Sequence, residues 1–354
     1  MGNELLNKFK VVVEFIHGSN LYGTNIALSD IDRRGVFIPT KEYFLGFNNV
    51  VKQVKDDEED TTHFDIRKFL ALALDNNPNI LEFLFVPENK IVITSTEWEQ
   101  IMDNREHFLS SNARWTFSGY AVSQLHRIKR HRHWLLRGHE IEEPTRTEFG
   151  LPEDRSVVSS DQIGAFNVIL SNRLKEIGQL HELQTQLMEM EQTIDYIGVV
   201  QSMGSRITYI DLKTILPEYS ENFILAVSKE KQYASAKKEY SQFLNWKKTR
   251  NPERAALEEK YGYDCKFAMH CYRLITEGEE FLKTGFITFP RPDAELLLDI
   301  RNGCWKFEEL LEKIENVDKH FDILYKETKL PRTPNRNKID ELCVTMVENN
   351  ILKM

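Results

Sequence analysis

The first ninety or so residues alternate short β-branched runs with turn-forming residues, a pattern that the rest of the chain does not continue. Residues 9–17 hold Val11-Val12-Val13 and Phe15-Ile16, residues 34–39 hold Val36-Phe37-Ile38, and both runs are bounded by Gly, Asn, Ser or Pro. Such runs predict strands. Between them, residues 19–27 leave room for about two helical turns. A third extended segment is predicted over residues 60–64. Ile66, Phe69, Leu70, Ala73 and Leu74 then recur at the three- and four-residue steps of an amphipathic helix. That helix must end at Asn76-Asn77-Pro78, because proline cannot continue it and disfavours helix in the residue before. Strand, helix, strand, strand, helix is the order of a small α+β unit.

Beyond Thr94 the pattern changes to long, charge-rich helical stretches. Residues 138–160 interrupt them with Gly, Pro, Glu and Ser and predict a long loop. Helix is expected again from Ser160 to about Ile197, a break at residues 204–214, more helix over residues 255–282, turns at Thr284-Gly285 and Pro290-Arg291-Pro292, and a linker over residues 330–337 before a last helix. No internal repeat is present. The expected fold class is therefore α+β, with a mixed sheet and flanking helices over residues 1–95 and a larger, mainly helical domain over residues 96–354. A length of 354 residues agrees with two domains at roughly 150 each.

Composition excludes several classes. A 41% hydrophobic content supplies a core and rules out a natively disordered chain. No run approaches the roughly 18 apolar residues of a membrane span, and Met1-Gly2-Asn3-Glu4-Leu5-Leu6 lacks the pattern of a cleavable signal. A cytoplasmic protein is expected. Cys265, Cys271, Cys304 and Cys343 form no CxxC pair and read as reduced thiols. Forty-six basic against 55 acidic residues give a net charge of -9, so any nucleic acid must be met by a local basic patch.

The chemistry is concentrated in Ile16-His17-Gly18-Ser19, followed after residues 20–29 by Asp30-Ile31-Asp32. Two carboxylates two apart on a strand share a face, with α-carbons roughly 6.6 Å apart. They can bracket two divalent ions about 3.5 to 4 Å apart, and hard oxygen ligands with positions left open for phosphates suit Mg²⁺. Gly18 permits a sharp turn and close backbone approach. Ser19 adds a hydroxyl and backbone N–H groups suited to a phosphate. The competing reading is an exposed turn, Leu28-Ser29-Asp30, whose acids simply face water.

At these residues the chain resembles the DNA polymerase beta-like nucleotidyltransferase superfamily. The stretches from His17 to Thr24 and Ser29 to Pro39, then Asn77-Pro78-Asn79-Ile80-Leu81-Glu82, and the distant run from Tyr263 to Leu274 narrow the likeness to the RlaP-like nucleotidyltransferases, named for an association with RNA repair. The resemblance implies a minimal nucleotidyltransferase sheet with an appended helical, substrate-binding domain. It also implies transfer of a nucleoside monophosphate from a nucleoside triphosphate such as ATP to a hydroxyl acceptor, an RNA or tRNA 3′ end being favoured. The alternatives are a protein or small-molecule acceptor, or a non-catalytic nucleotide- or RNA-binding regulator.

The resemblance implies a third carboxylate beside Asp30 and Asp32. Asp60 fits the position, with the solvated end of an acidic run as its other reading. Asp65 competes with it but reads better as a helix N-cap. Asp30, Asp32 and Asp60 are thus the candidate catalytic residues and ligands of two Mg²⁺ ions, with Mn²⁺ as a substitute. Gly18 and Ser19 are candidate nucleotide-binding residues, and the resemblance implies that Lys266 and His270 join them. Lys266 and His270, four apart, share a helical face with Arg273 nearby, and a solvated charged face is the alternative. Asn77-Pro78-Asn79 with Glu82 is a substrate-facing loop on the resemblance, whereas its local pattern has Asn79 cap a short helix containing Glu82. Arg34 falls on the parity of Asp30 and Asp32. The run from His126 to Arg137, with Arg127, Lys129, Arg130 and Arg132, could grip RNA phosphates, and Trp115 and Trp134 could stack on bases. The alternative is a solvated face.

Overall fold

The computed structural model describes residues 2–27, 29–47, 50–56, 59–176 and 216–352. By backbone contacts the chain divides into two units, Met1–Ala121 with Ala268–Met354, and Val122–Phe267. In chain order the elements are α1 (Gly2–Leu6), β1 (Lys10–Ile16), α2 (Gly18–Tyr22), β2 (Arg33–Ile38), α3 (Lys41–Leu45), β3 (Gln53–Asp56), β4 (Thr61–Asp65), α4 (Ile66–Leu74), α5 (Pro78–Leu81), β5 (Ile91–Ile93), α6 (Thr96–Asp103) and α7 (Ala113–Arg137). They continue with α8 (Ser160–Glu176), α9 (Glu221–Thr249), α10 (Pro252–Tyr261), α11 (Cys265–Thr284), α12 (Ala294–Arg301), α13 (Phe307–Glu315), α14 (Val317–Glu327) and α15 (Arg336–Val347). The fold class is α+β. No helix among the described residues is long and apolar enough to cross a membrane.

The five strands of the first unit form one mixed sheet in the order β3-β4-β2-β1-β5. β1 is antiparallel to β2 and β5, β4 is parallel to β2, and β3 is antiparallel to β4. The sequence reading missed β3 and β5. Both are short edge strands: β3 carries charge, which an edge tolerates, and β5 is apolar but only three residues long. Across the centre, Glu14, Gly35 and His63 lie in register on β1, β2 and β4. His63 reaches over Gly35 to place Nε2 2.9 Å from the Glu14 carboxylate. A Cβ at Gly35 would strike the His63 ring and lie 2.5 Å from the Val13 carbonyl oxygen, so only glycine leaves that path open.

One layer of the core rests on α4, whose Ile66, Phe69, Leu70, Ala73 and Leu74 are buried as the periodicity predicts. Phe83 packs against Phe15 at 4.6 Å and Phe69 at 5.7 Å between ring centroids. A smaller cluster of Leu6, Phe9, Phe37 and Val54 forms a separate core patch. Asp65 caps α4, accepting from the Arg67 and Lys68 amides. The next cap differs from expectation. Asn77, not Asn79, accepts at the N-terminus of α5, with Pro78 at the first position, where its missing N–H costs nothing. α2 is also shorter than the predicted two turns, because Gly23 takes a left-handed conformation and the Thr24 amide closes onto the Ser19 carbonyl at 2.9 Å.

The second unit is helical among its described residues. His131, Trp134, Phe243 and Trp246 cluster in it, with Trp134 and Trp246 5.6 Å apart. The predicted loop after α7 is held down by Arg146, which donates to the Pro152 and Arg155 carbonyls and pairs with Glu230 at 2.7 Å. The expected helix from residue 177 to Ile197 and the break at residues 204–214 lie outside the described residues.

Candidate active site

His17 is the pivot from β1 into α2. Its extended backbone donates an N–H to the Asp32 carbonyl at 2.9 Å, which brings the segment before β2 against the turn. Gly18 follows with φ +60, and a Cβ there would collide with Asp32 Oδ2 and lie 2.7 Å from Asp32 Cγ. The turn and the carboxylate therefore fit together only when residue 18 has no side chain. Asn20 reaches back to the Asp30 carbonyl at 3.0 Å.

Asp30 and Asp32 were expected on a strand. They lie instead in the segment preceding it, since β2 starts at Arg33. Asp32 and Asp60 converge on Arg34 and lie close enough for Asp60 to act on the charge of Asp32. Asp60 is in the left-handed region at φ +45, which Asp tolerates better than most residues. Its carbonyl accepts from the Arg33 amide and from Arg34 Nη1, both at 3.1 Å. Burial, then the proximity of Asp60, raises the Asp32 carboxyl above its usual range, against the pull of Arg34 and His17. Arg34 lies 3.6 Å from Asp32 and 3.7 Å from Asp60. Asp30 is exposed, and its carboxylate does not complete a group of three with ligand atoms all within 4.8 Å among the described residues. The competing Asp65 is buried under α4 and engaged as its cap.

Two neighbouring carboxylates, one of them with raised proton affinity, form a donor set that suits a hard divalent cation. These residues fit the metal that the resemblance implies. A second acidic group, His131 with Glu258 and Asp264, brings its ligand atoms within 4.8 Å in the other unit. Its charges have protein partners. Arg250 meets Glu258 at 2.7 Å, and Asp264 accepts from the Phe267 amide at 3.0 Å.

Directly behind the turn is a polar network that sequence reasoning did not find. Glu82, fully buried, receives the Tyr22 hydroxyl at 2.7 Å and faces His17 Nε2 at 3.1 Å through Oε2. Its Oε1 takes Arg273 Nη1 at 2.5 Å. Arg273, expected on a cleft-facing or solvated face with Lys266 and His270, is only 5% exposed. It also bonds both oxygens of Glu277 at 2.8 and 2.9 Å. Burial alone would raise the Glu82 carboxyl, but Arg273, His17 and Tyr22 outweigh it and hold it well below the usual range. The available signal was the pairing of two distant motif stretches, one holding Glu82 and the other Arg273.

Lys266 and His270 are both half-buried on α11, Lys266 in the second unit and His270 in the first. On α7 the basic run is sorted by helical geometry. His126, Lys129, Arg130, His133 and Arg137 are exposed at three- and four-residue steps. Arg127 and Arg132 are half-buried, with the Arg127 guanidinium 5.2 Å from the Phe267 ring centroid. Trp134 is only 4% exposed, so its surface is taken by the aromatic cluster and is not offered to a base. Trp115 is 37% exposed, beside Tyr325 and Arg114.

An uncharacterized 38.9 kDa protein in the nrdC-mobD intergenic region of Enterobacteria phage T4 is 24% identical to this chain over 335 residues, covering 87% of each. No solved structure matches. A family model does match, over residues 4–139, the stretch that holds the Gly18-Ser19 turn and the carboxylates at 30, 32 and 60. The matched family is described as RlaP, RNA repair pathway DNA polymerase beta family, and over those residues the chain is similar to it.

Proposed function

We propose that this protein is a metal-dependent nucleotidyltransferase that moves a nucleoside monophosphate from a nucleoside triphosphate, ATP among the candidates, to the hydroxyl of an RNA 3′ end, with tRNA foremost. The observation that carries the proposal is the packing of the Asp32 carboxylate against a turn where Gly18 has no room for a side chain, with Asp60 sharing Arg34 with it. The family description supports the reaction class and the RNA context.

Residues 1–95 would supply the chemistry and residues 96–354 would bind substrate, in the cytoplasm. Gly18 and Ser19 would receive the polyphosphate, with Lys266 and His270 contributing positive charge. Asp30, Asp32 and Asp60 would hold two Mg²⁺ ions, or Mn²⁺ in their place. Bound there, such ions neutralise phosphate charge and acidify an attacking hydroxyl. The acceptor oxygen bonds to the α-phosphorus as the bond to the pyrophosphate oxygen breaks. Asp60, the more exposed of that pair, is placed to take the hydroxyl proton. Arg127, Lys129, Arg130 and Arg132 belong to the run proposed to bind RNA, and its exposed members would make that binding weaken as salt rises.

The net charge of -9 favours a second reading, in which the acceptor is a protein or small molecule. Arg34, within ion-pair range of both carboxylates, favours a third, a nucleotide- or RNA-binding regulator without turnover. Incubation with each labelled nucleoside triphosphate, Mg²⁺ and total RNA or lysate separates them. Label in RNA, lost in Asp30→Ala and Asp32→Ala, is the expected result. Label in protein or in a small molecule selects the second reading, and nucleotide binding without pyrophosphate release selects the third.

A further inference from the structure

We infer that Glu82 and Arg273 are positioning residues for the Gly18-Ser19 turn, so that α11 and the segment before α12 set the geometry in which the turn meets phosphate. The inference rests on the nucleotide reading of that turn.

α2 has five residues, too few to hold a helical conformation by itself. At its end the Gly23 and Thr24 amides donate to the Ser19 carbonyl. The two residues that bracket it, His17 and Tyr22, both end on the same oxygen of Glu82. The other oxygen is fixed by Arg273, whose guanidinium also lies 4.0 Å from the Tyr22 ring centroid. The Tyr22 carbonyl accepts the Arg291 amide at 3.0 Å. The helix is therefore clamped at both ends by groups outside it.

The clamp reaches the carboxylates through His17. Its ring faces Glu82 while its amide holds the Asp32 carbonyl. Gly18, the next residue, lies so close to the Asp32 side chain that a rotation of His17 would press backbone into carboxylate. A buried ion pair adds little net stability compared with apolar residues of the same volume. Its distinctive contribution here is direction, because one carboxylate fixes where both ends of the turn point.

The test uses the full chain and three variants, Glu82→Gln, Arg273→Lys and Tyr22→Phe, with two measurements. The first is amide hydrogen exchange at Gly23 and Thr24, with β1 and β2 amides as internal reference. The second is Mg·ATP affinity, with KM and kcat where turnover is found. Glu82→Gln should lose about tenfold in turn protection and raise KM about tenfold, with kcat within about twofold and the sheet amides unchanged. Arg273→Lys should be milder, and Tyr22→Phe, which removes one hydroxyl, should show about threefold effects.

Unchanged turn protection in a folded Glu82→Gln overturns the inference, as does unchanged KM when the wild type binds nucleotide. If Glu82→Gln loses protection throughout the sheet, Tyr22→Phe decides, and turn protection equal to wild type in that variant overturns the inference. A wild type that binds no nucleotide sinks the nucleotidyltransferase reading, and hydrogen exchange alone then decides whether Glu82 and Arg273 hold the turn.

Discussion

The identity of the third carboxylate turns on what each side chain already does. Asp65 is buried and accepts from the first amides of α4, whereas Asp60 shares Arg34 with Asp32. Asp60→Asn should therefore lower nucleotidyl transfer by about 100-fold or more, in keeping with loss of charge at a reacting centre. Asp65→Asn, which preserves a good cap, should leave kcat within a few fold, and steady-state kinetics distinguishes the two. Glu277 gives a prediction about pH. Burial, reinforced by Glu82 and opposed by Arg273 and Arg291, pushes its carboxyl up to about 8. The folded state then keeps a proton that the unfolded state releases near pH 4.3, so stability should fall as pH rises from about 4.5 to about 8. The slope is at most about 1.4 kcal/mol per pH unit for one proton. Glu277→Gln should flatten this part of the denaturation profile and be the more stable protein at pH 8. Glu82 acts with the opposite sign, since its stabilisation is present above the ordinary carboxylate range and is lost on acidification.

Among the elements, those governed by local chemistry were legible. The α4 stripe, its cap at Asp65 and its stop before Pro78 all follow from spacing, proline geometry and capping within a dozen residues. The edge strands β3 and β5 were not, because each depends on a neighbouring strand to exist as a strand. Gly35 shows how much a central strand owes to its neighbours. Its φ is not in the left-handed region, so a substitution there is a problem of space alone. Gly35→Ala should force the His63 ring off Glu14 and cost ~1–3 kcal/mol, typical of overpacking a tight interior. Chemical denaturation checks the magnitude, and a wild-type midpoint would mean that both the ring and the Val13 carbonyl give way freely.

At the scale of the molecule, the sheet and its Gly-Ser turn could be anticipated from the first ninety residues, but their completion could not. Glu82 and Arg273 are 191 positions apart, and no periodicity links them. The basic run on α7 was similarly ambiguous until helical geometry separated its exposed members from those against Phe267. The first unit takes in residues from both ends of the chain. The fragment 1–139, although it spans the whole family match, lacks Arg273 and should show weaker amide protection in the turn than the full chain. Equal protection in the fragment would show that the N-terminal part is self-sufficient.

The discontinuity of that unit also imposes a schedule on the ribosome. Residues 122–267 must be synthesised between its two portions, which at about 5–20 residues per second takes roughly 7–30 seconds. For that interval Glu82 exists without its guanidinium, and an ionised carboxylate cannot be sealed in an apolar interior without a counter-charge. Until α11 emerges the nascent sheet can hold Glu82 only as a neutral acid or with one wall hydrated, so the latch on the Gly18-Ser19 turn closes late in the life of the nascent chain.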